Sequence, residues 1–419
     1  MAGVIGGPIE ALDVERVKKD FPILDCPTHG RRLVFLDSAS SAQRPRAVLE
    51  AMDHYYETTH ANVHRGVYAI AEEATRLYEE ARVKVGRFIG APSPSREIVF
   101  TKNATEAINL VAHGWGRRFL QPGDVVVLSE MEHHANLVPW LMLAEERDIE
   151  LRYLPITDDG QLVLDNLEQL VEGARLVSLT LVSNVLGTIN PLPYIAGVAH
   201  AAGAVVLADG AQFVPHLPTD VSSLGCDFLA FTGHKMLGPT GIGVLWARSD
   251  LLEAMAPFLG GGSMISDVRL DGFLPNEVPW KFEAGTPPIA EAVGLGAAVD
   301  YLGGLGMDQV RAHERDLTAY ALGSLGDRYG DDLTIHGPAD PAARGGVLSM
   351  VYKNVHAHDL AQVLDQAAVC VRPGHHCAKP LMRRLRVPAT ARASFYLYND
   401  AADVDALANA LADADVFFA

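Results

Sequence analysis

Cysteine is scarce in this chain. The four cysteines among 419 residues, at positions 26, 226, 370 and 377, are scattered and form no Cys-x-x-Cys pair. A disulfide framework is therefore not expected, and a reducing compartment is. Positive charge is also short: 34 Lys and Arg stand against 52 Asp and Glu, a formal charge of −18. The basic runs, Lys18-Lys19, Arg117-Arg118 and Arg383-Arg384 among them, are only pairs. A chain so acidic repels a phosphate backbone, so no nucleic-acid partner is expected. No run of about 18 apolar residues occurs, which leaves no candidate membrane span. The opening MAGVIGGPIEALDVERVKKDFP lacks the basic start and apolar core of a secretory signal. No internal repeat stands out. The expectation is a soluble cytoplasmic protein.

What is present is an ordinary globular balance, 49% hydrophobic and 21% charged, on a chain long enough for two domains. EIVFT (97–101), DVVVLS (124–129), RLVSLTLV (175–182), AVVLAD (204–209), DFLAFT (227–232) and GVLWA (243–247) read as strands covered on both faces, because their apolar character is nearly continuous. Helical patterns lie between them. In AEEATRLYEEARVKVGRFIG, Ala74, Leu77, Tyr78, Ala81, Val85 and Phe88 share one face and Gly90 follows the end. The alternation predicts an α/β domain with a mostly parallel sheet over 34–300. Beyond it the texture changes: glycines cluster, VLSMVY (347–352) reads as a strand, and a helix begins near His358. Residues 1–33 and 301–419 are expected to form a smaller α+β domain.

Ligands of open α/β sheets collect at the carboxyl ends of strands. AVVLADGAQ ends on Asp209 and Gln212. DFLAFTGHK ends on Thr232, His234 and Lys235. EIVFT runs into Asn103, Ala104 and Thr105 at a helix start, RLVSLTLV into Ser183-Asn184, and DVVVLS toward His133 and His134. This set suits a phosphorylated aromatic aldehyde. The helix start at Thr105, with Thr232 and His234, offers donors to a phosphate. Asp209 can hold a protonated ring nitrogen, and Lys235 can bond covalently to the aldehyde if its pKa is lowered. His133 can stack on the ring and move protons, while Gln212 and Asn184 can bond a ring hydroxyl.

Singly, each residue has an ordinary structural explanation. NAT before a helix is a common cap, Asp at a strand end a turn residue, and Lys in TGHK a solvated side chain. Their convergence on one sheet edge points the other way. A last stretch, RPGHHCAKP (372–380), sets Cys377 among polar groups, as reactive rather than structural cysteines are. Adjacent side chains such as His375, His376 and Cys377 do not converge on one tetrahedral ion, so no metal is expected. Cys26, Cys226 and Cys370 are read as small packing residues.

FTGHKMLGPTGIGVLWA, with Asp209 and Gln212 upstream, resembles the cofactor-lysine region of class V aminotransferases. RPGHHCAKP resembles the cysteine loop of cysteine desulfurases, in particular the SUF-type (group II) branch. LDSASSAQRP, NVHRGVYAIAEEAT, TKNATEAINLVA, EMEHHANLVPW, SNVLGT, FEAGTPPIA and ARASFYLYN match the remaining motifs in order. Small departures stand at Ser40, Thr232 and Pro373, and none removes a functional group.

The resemblance implies a fold type I pyridoxal 5'-phosphate enzyme working as a homodimer. By it, Lys235 carries the cofactor, His133 stacks on the ring and Asp209 pairs its nitrogen. Gln212 and Asn184 bond near its hydroxyl, and Ala104, Thr105, Thr232 and His234 hold the phosphate, joined by Thr286 of a second subunit. Arg392 grips the substrate carboxylate, with Arg372 and Asn184 nearby and His64 and Arg65 at the mouth. The substrate implied is L-cysteine and the products L-alanine and a persulfide on Cys377, around which Arg372, His375 and His376 keep positive charge. The sulfur then passes to an acceptor protein of SufU or SufE type for iron–sulfur cluster assembly, with His358 as a contact to an acceptor's zinc. A selenocysteine lyase, another lyase of the same fold, and a non-catalytic scaffold are the competing readings. Cys377 weighs against the lyases, and Lys235, Asp209, Arg392 and Cys377 together weigh against the scaffold.

Overall fold

A computed structural model describes residues 11–418 of the chain. At its centre lies a seven-stranded sheet. Its strands are Ile98–Thr101 (β1), Val125–Ser129 (β2), Glu150–Leu154 (β3), Ala174–Thr180 (β4), Val205–Asp209 (β5), Phe228–Thr232 (β6) and Gly243–Ala247 (β7). They lie in the order β1-β7-β6-β5-β4-β2-β3. Only β7 runs against its neighbours, β1 and β6, and every other pairing is parallel. Every residue of β1, β2, β6 and β7 is buried, which is why their apolar runs are unbroken. The strand β3 was not expected from the sequence. It is an edge strand with Glu150 and Tyr153 exposed, and those solvated positions dilute the apolar run.

Helices Arg46–Thr58 (α1), Ala69–Phe88 (α2) and Ile289–Leu305 (α4) pack together, with Ala104–Val111 (α3) opening after β1. Small residues set the close approach of α4. A Cβ at Gly296 would lie 3.2 Å from the Cβ of Ala81, and one at Gly294 would lie 2.8 Å from Met52 Cγ. This helix passes residue 300 without a break, held by α1 and α2.

A second, antiparallel sheet holds Leu333–His336 (β8), Val347–Tyr352 (β9), Arg372–Gly374 (β10) and Thr390–Ser394 (β11), in the order β8-β9-β11-β10. Met307–Tyr329 (α5), Ala357–Gln366 (α6) and Ala401–Phe418 (α7) pack with it, and Leu348, Tyr352, Leu360, Val404, Leu407 and Leu411 share its core. The chain's early part reaches this unit too. Val34–Phe35 pairs in parallel with Val369–Cys370, and Lys18 pairs with Asp400. Residues 1–10, expected in the same unit, lie outside the described residues. Cys226 is buried, its thiol pushed up to about 12 by burial, and Cys370 is half-buried. Cys26 is exposed, so the packing role expected for it does not hold: it sits in the turn after Pro22–Asp25, on the surface. Among the described residues no helix is long and apolar enough to cross a membrane.

Candidate active site

Because β1, β2, β4, β5 and β6 run in one direction, the segments leaving their carboxyl ends meet. They line a cavity of about 470 Å³, closed on the other side by the 372–377 loop and Arg392. The start of α3 forms one wall. Asn103 caps it, its side-chain oxygen accepting from the Glu106 amide at 2.9 Å, and Ala104 and Thr105 line the cavity. Gly243 makes this wall possible. A Cβ there would lie 2.4 Å from the Asn103 backbone, so only glycine lets β7 pass beneath the helix start.

Asp209 ends β5 on the cavity floor, its carboxyl raised by burial and partly restrained by the Ala211 amide and the Lys235 charge. Burial brings Lys235 down to about 8, with Asp209 opposing and Arg392 assisting. A lysine so placed has a substantial neutral fraction near neutral pH, as a nucleophile or base needs. His133 accepts from the Ala135 amide through Nδ1 at 3.0 Å. Burial holds its pKa near 3, so its ring is neutral and suited to stacking. His234 is likewise held near 4 by burial, and its carbonyl accepts from the Ala42 amide at 2.9 Å.

Five polar atoms of this cavity's lining residues are buried with no partner among the described residues: Thr232 Oγ1, Gln212 Oε1, Arg392 Nε, and Nδ1 of both His375 and His376. Gln212 keeps its orientation because Nε2 donates to the Ala39 carbonyl at 2.6 Å. Buried polar atoms are normally paired, so an unpaired hydroxyl, amide oxygen and guanidinium N–H around one cavity fit a bound group rich in oxygen. A phosphate at the start of α3 and Thr232, a ring hydroxyl at Gln212 and a carboxylate at Arg392 would satisfy the first three.

The Cys377 loop is fastened from several directions. Asn184 Nδ2 donates to the His376 carbonyl at 2.7 Å, and the His134 amide donates to the Cys377 carbonyl at 2.7 Å. The Lys379 amide donates to His134 Nε2 at 3.1 Å. His376 and Cys377 both have left-handed backbones, φ 51° and 55°, a conformation that non-glycine residues seldom adopt. The thiol itself is exposed, within electrostatic reach of Lys235, Arg372 and Arg392. One expectation is corrected here. His376 is buried against Thr390, whose hydroxyl lies 2.8 Å from Nε2, and burial holds its pKa near 3. It is neutral and anchors the loop, while Lys235, Arg372 and Arg392 bring positive charge to Cys377.

Arg392 is 2% exposed, donates to the Asn184 carbonyl at 2.9 Å, and is brought down to about 10 by burial, still cationic near neutral pH. The side-chain nitrogen expected to face a ring hydroxyl, Asn184 Nδ2, is engaged by the loop instead. His358 is exposed in the first turn of α6, its ring stacked on His356, and it lines the cavity's rim. Thr286 lies outside this cavity, in a separate depression with Phe100 and Glu291. His64 and Arg65 are outside it too; His64 pairs with Glu79 at 2.9 Å. Among the described residues no group of three His, Cys, Asp or Glu is placed to hold a metal.

Two residues escaped the sequence reading. Glu132 is fully buried beside His133, held by the Ser129 hydroxyl, Asn136 and the Thr180 amide, and burial raises its carboxyl to about 8. Asp37 sits behind both arginines. In the sequence it closes the apolar run LVFLD and stands inside LDSASSAQRP, and nothing in that pattern joins it to Arg372 or Arg392.

A parallel sheet edge carrying a buried lysine and a carboxylate, opposite an arginine and a reactive-looking cysteine, defines a fold and site of known kind. The chain belongs to the class-V aminotransferase family, which it matches over residues 34–407. Within that family it is 51% identical over 416 residues to a Streptomyces coelicolor protein named probable cysteine desulfurase, covering 97% of this chain and 98% of that one. The solved cysteine desulfurase of Thermococcus onnurineus NA1 superimposes with a TM-score of 0.90 at 38% identity, over 97% of this chain and 98% of that one. The Escherichia coli cysteine desulfurase CsdA, solved in an S-sulfonic acid form, does so with a TM-score of 0.89 at 40% identity, over 97% and 100%.

Proposed function

We propose that this chain is a pyridoxal-phosphate-dependent cysteine desulfurase of the SUF-type branch, converting L-cysteine to L-alanine with the sulfur left on Cys377. One observation carries the reading: Lys235, Arg392 and Cys377 line a single cavity, and the thiol is exposed. Thr105 and Ala104 at the start of α3, with Thr232 and His234, would hold the cofactor's phosphate. Gln212 would face its hydroxyl, Asp209 its ring nitrogen, His133 its ring face and Lys235 its aldehyde carbon, while Asn184 Nδ2 holds the Cys377 loop. When bound, pyridoxal phosphate supplies an electron sink that stabilises negative charge on the substrate's carbon skeleton.

The chain's own residues do the rest. Arg392 binds the substrate carboxylate as a planar donor, and Arg372 adds charge that draws an anion in. Lys235, brought down to about 8 by burial, accepts and returns the proton at the substrate's α-carbon. The Cys377 thiolate attacks the substrate sulfur. A sulfur–sulfur bond forms, the carbon–sulfur bond breaks with its electron pair left on carbon, and that carbon takes a proton to become the methyl group of alanine.

The reading extends to a cytoplasmic homodimer in which Thr286 of each chain reaches the phosphate in the other's cavity, with His64 and Arg65 near the mouth at the dimer interface. It takes 34–300 as the large domain and 1–33 with 301–419 as the small one. It takes the sulfur onward to an acceptor of SufU or SufE type for iron–sulfur cluster assembly, with exposed His358 on the rim as a contact. His358→Ala is expected to keep basal alanine formation and lose stimulation by a zinc-containing acceptor; equal stimulation would remove that contact.

The deciding experiment compares alanine formed from L-cysteine by wild type and Cys377→Ala, beside L-selenocysteine. Loss of cysteine turnover, with yellow cofactor colour and selenocysteine turnover kept, supports the reading. Undiminished cysteine turnover would make Cys377 a bystander and favour a lyase.

A further inference from the structure

Arg372 and Arg392 are direct cross-strand partners in the β10–β11 pair. Like charges directly opposite each other on a sheet repel, and Arg392 is almost wholly buried, so the pair needs a counter-charge. One carboxylate supplies it. Asp37 Oδ1 accepts from Arg392 Nη2 at 3.3 Å, while Asp37 also takes the fork of Arg372, Nε at 3.1 Å from both oxygens and Nη2 at 2.9 Å from Oδ2. Its side chain is 15% exposed, and it does not itself line the cavity, although both arginines do. Asp37 is held in place in turn, since its backbone bridges Ser394 at the end of β11.

The consequence differs at the two arginines. Arg392 is oriented from both ends, by the Asn184 carbonyl at Nη1 and by Asp37 at Nη2, with Nε left unpartnered. Arg372 lies on the strand that leads into the Cys377 loop, five residues before the thiol, and among the described residues Asp37 is the one acidic side chain its guanidinium bonds.

We infer that Asp37 is a positioning residue. Its carboxylate aims Arg392 at the substrate carboxylate and, through Arg372, ties the base of the Cys377 loop to that grip. The inference rests on the reading of Arg392 and Cys377 given above. Without the Asp37 charge, Arg392 loses one of its two orienting bonds and Arg372 is repelled from its cross-strand partner. The carboxylate grip and the loop base then loosen together.

The test uses full-length wild type, Asp37→Asn and Asp37→Glu, each purified with and without added pyridoxal phosphate. With cofactor, kcat and KM for alanine formation from L-cysteine are separated. Without cofactor or substrate, the rate of Cys377 alkylation by iodoacetamide is followed by mass spectrometry. Asp37→Asn, isosteric but uncharged, is expected to raise KM at least tenfold with kcat within threefold, and to speed alkylation at least twofold. Asp37→Glu is expected to recover part of both, because it restores the charge. A wild-type KM with a wild-type alkylation rate in Asp37→Asn overturns the inference. So does a loss confined to kcat, or an Asp37→Glu variant no better than Asp37→Asn, since that pattern marks a merely structural residue. If wild type itself forms no alanine, the desulfurase reading fails. The alkylation comparison still decides whether Asp37 fastens the loop.

Discussion

Asn184 and His376, 192 positions apart, are joined by a 2.7 Å hydrogen bond from the asparagine side chain to the histidine carbonyl. The same asparagine offers its own carbonyl to Arg392. One residue at the end of β4 thus holds both the Cys377 loop and the candidate carboxylate grip. Asn184→Ala removes the loop bond and leaves a buried carbonyl unpaired, a loss of about 1–3 kcal/mol. The expected result is at least a tenfold fall in alanine formation with faster alkylation of Cys377, measured on the same preparation.

Thr232 gives a cleaner separation of binding from folding. Its buried hydroxyl has no partner among the described residues. Thr232→Val keeps the shape and removes only the donor. The melting temperature of the cofactor-free protein is expected to stay the same or rise slightly. The Kd for pyridoxal phosphate, read by absorbance titration, is expected to rise about tenfold or more, the worth of one hydrogen bond to a charged group, about 1.5–3 kcal/mol.

Stability away from the site depends on a buried ion pair. Arg82, with no exposed side-chain surface, donates to both oxygens of Glu283 at 2.6 and 2.8 Å. Glu283 also accepts from the Tyr78 hydroxyl at 2.9 Å and the Phe100 amide at 2.8 Å, tying α2 to β1 and to the segment before Thr286. Glu283→Ala leaves Arg82 with the more exposed Glu79, 2.8 Å from Nε, as its remaining counter-charge, and strips the Tyr78 hydroxyl and Phe100 amide of their acceptor; it is expected to lower stability by about 3 kcal/mol in a urea melt.

Acid should unfold this protein through its imidazoles. Burial lowers His133 and His376 to about 3 and His234 to about 4, from a usual 6.5. Below about 6.5 the unfolded chain takes up protons that the folded chain refuses. The stability these groups lend is therefore whole above that pH and is lost as pH falls toward 4 and then 3. Glu132 acts oppositely. Its carboxyl, raised from 4.5 to about 8, favours the folded state below pH 4.5 and loses that effect as pH rises through 8. Between pH 6.5 and 4.5 three imidazoles oppose one carboxyl. The melting temperature of the cofactor-free protein is expected to fall on acidification, and His376→Gln is expected to make that slope shallower.

Much of this was legible in the sequence. The six apolar runs named strands that exist, within a residue or two at their ends, because both faces of those strands are covered and few polar positions interrupt them. Knowing where strands end was enough to bring Asp209, Lys235, Thr105 and His133 to one edge. Strand β3 escaped because an edge strand wears a solvated pattern. The neutrality of His376 escaped because a histidine between His375 and Cys377 reads as polar loop, and only its seat against Thr390 shows it buried.

The sequence by itself determined the kinds of chemical group present and the sheet edge that gathers most of them, since periodicity and apolar continuity are local properties. Tertiary structure alone decided which groups share partners: Asp37 between Arg372 and Arg392, Asn184 between Arg392 and the loop, and Cys377 left exposed while His376 beside it is buried. Those relations join segments up to 355 positions apart in the chain. They follow from how distant segments are brought together around the small sheet and the ends of the large one, which no local pattern encodes.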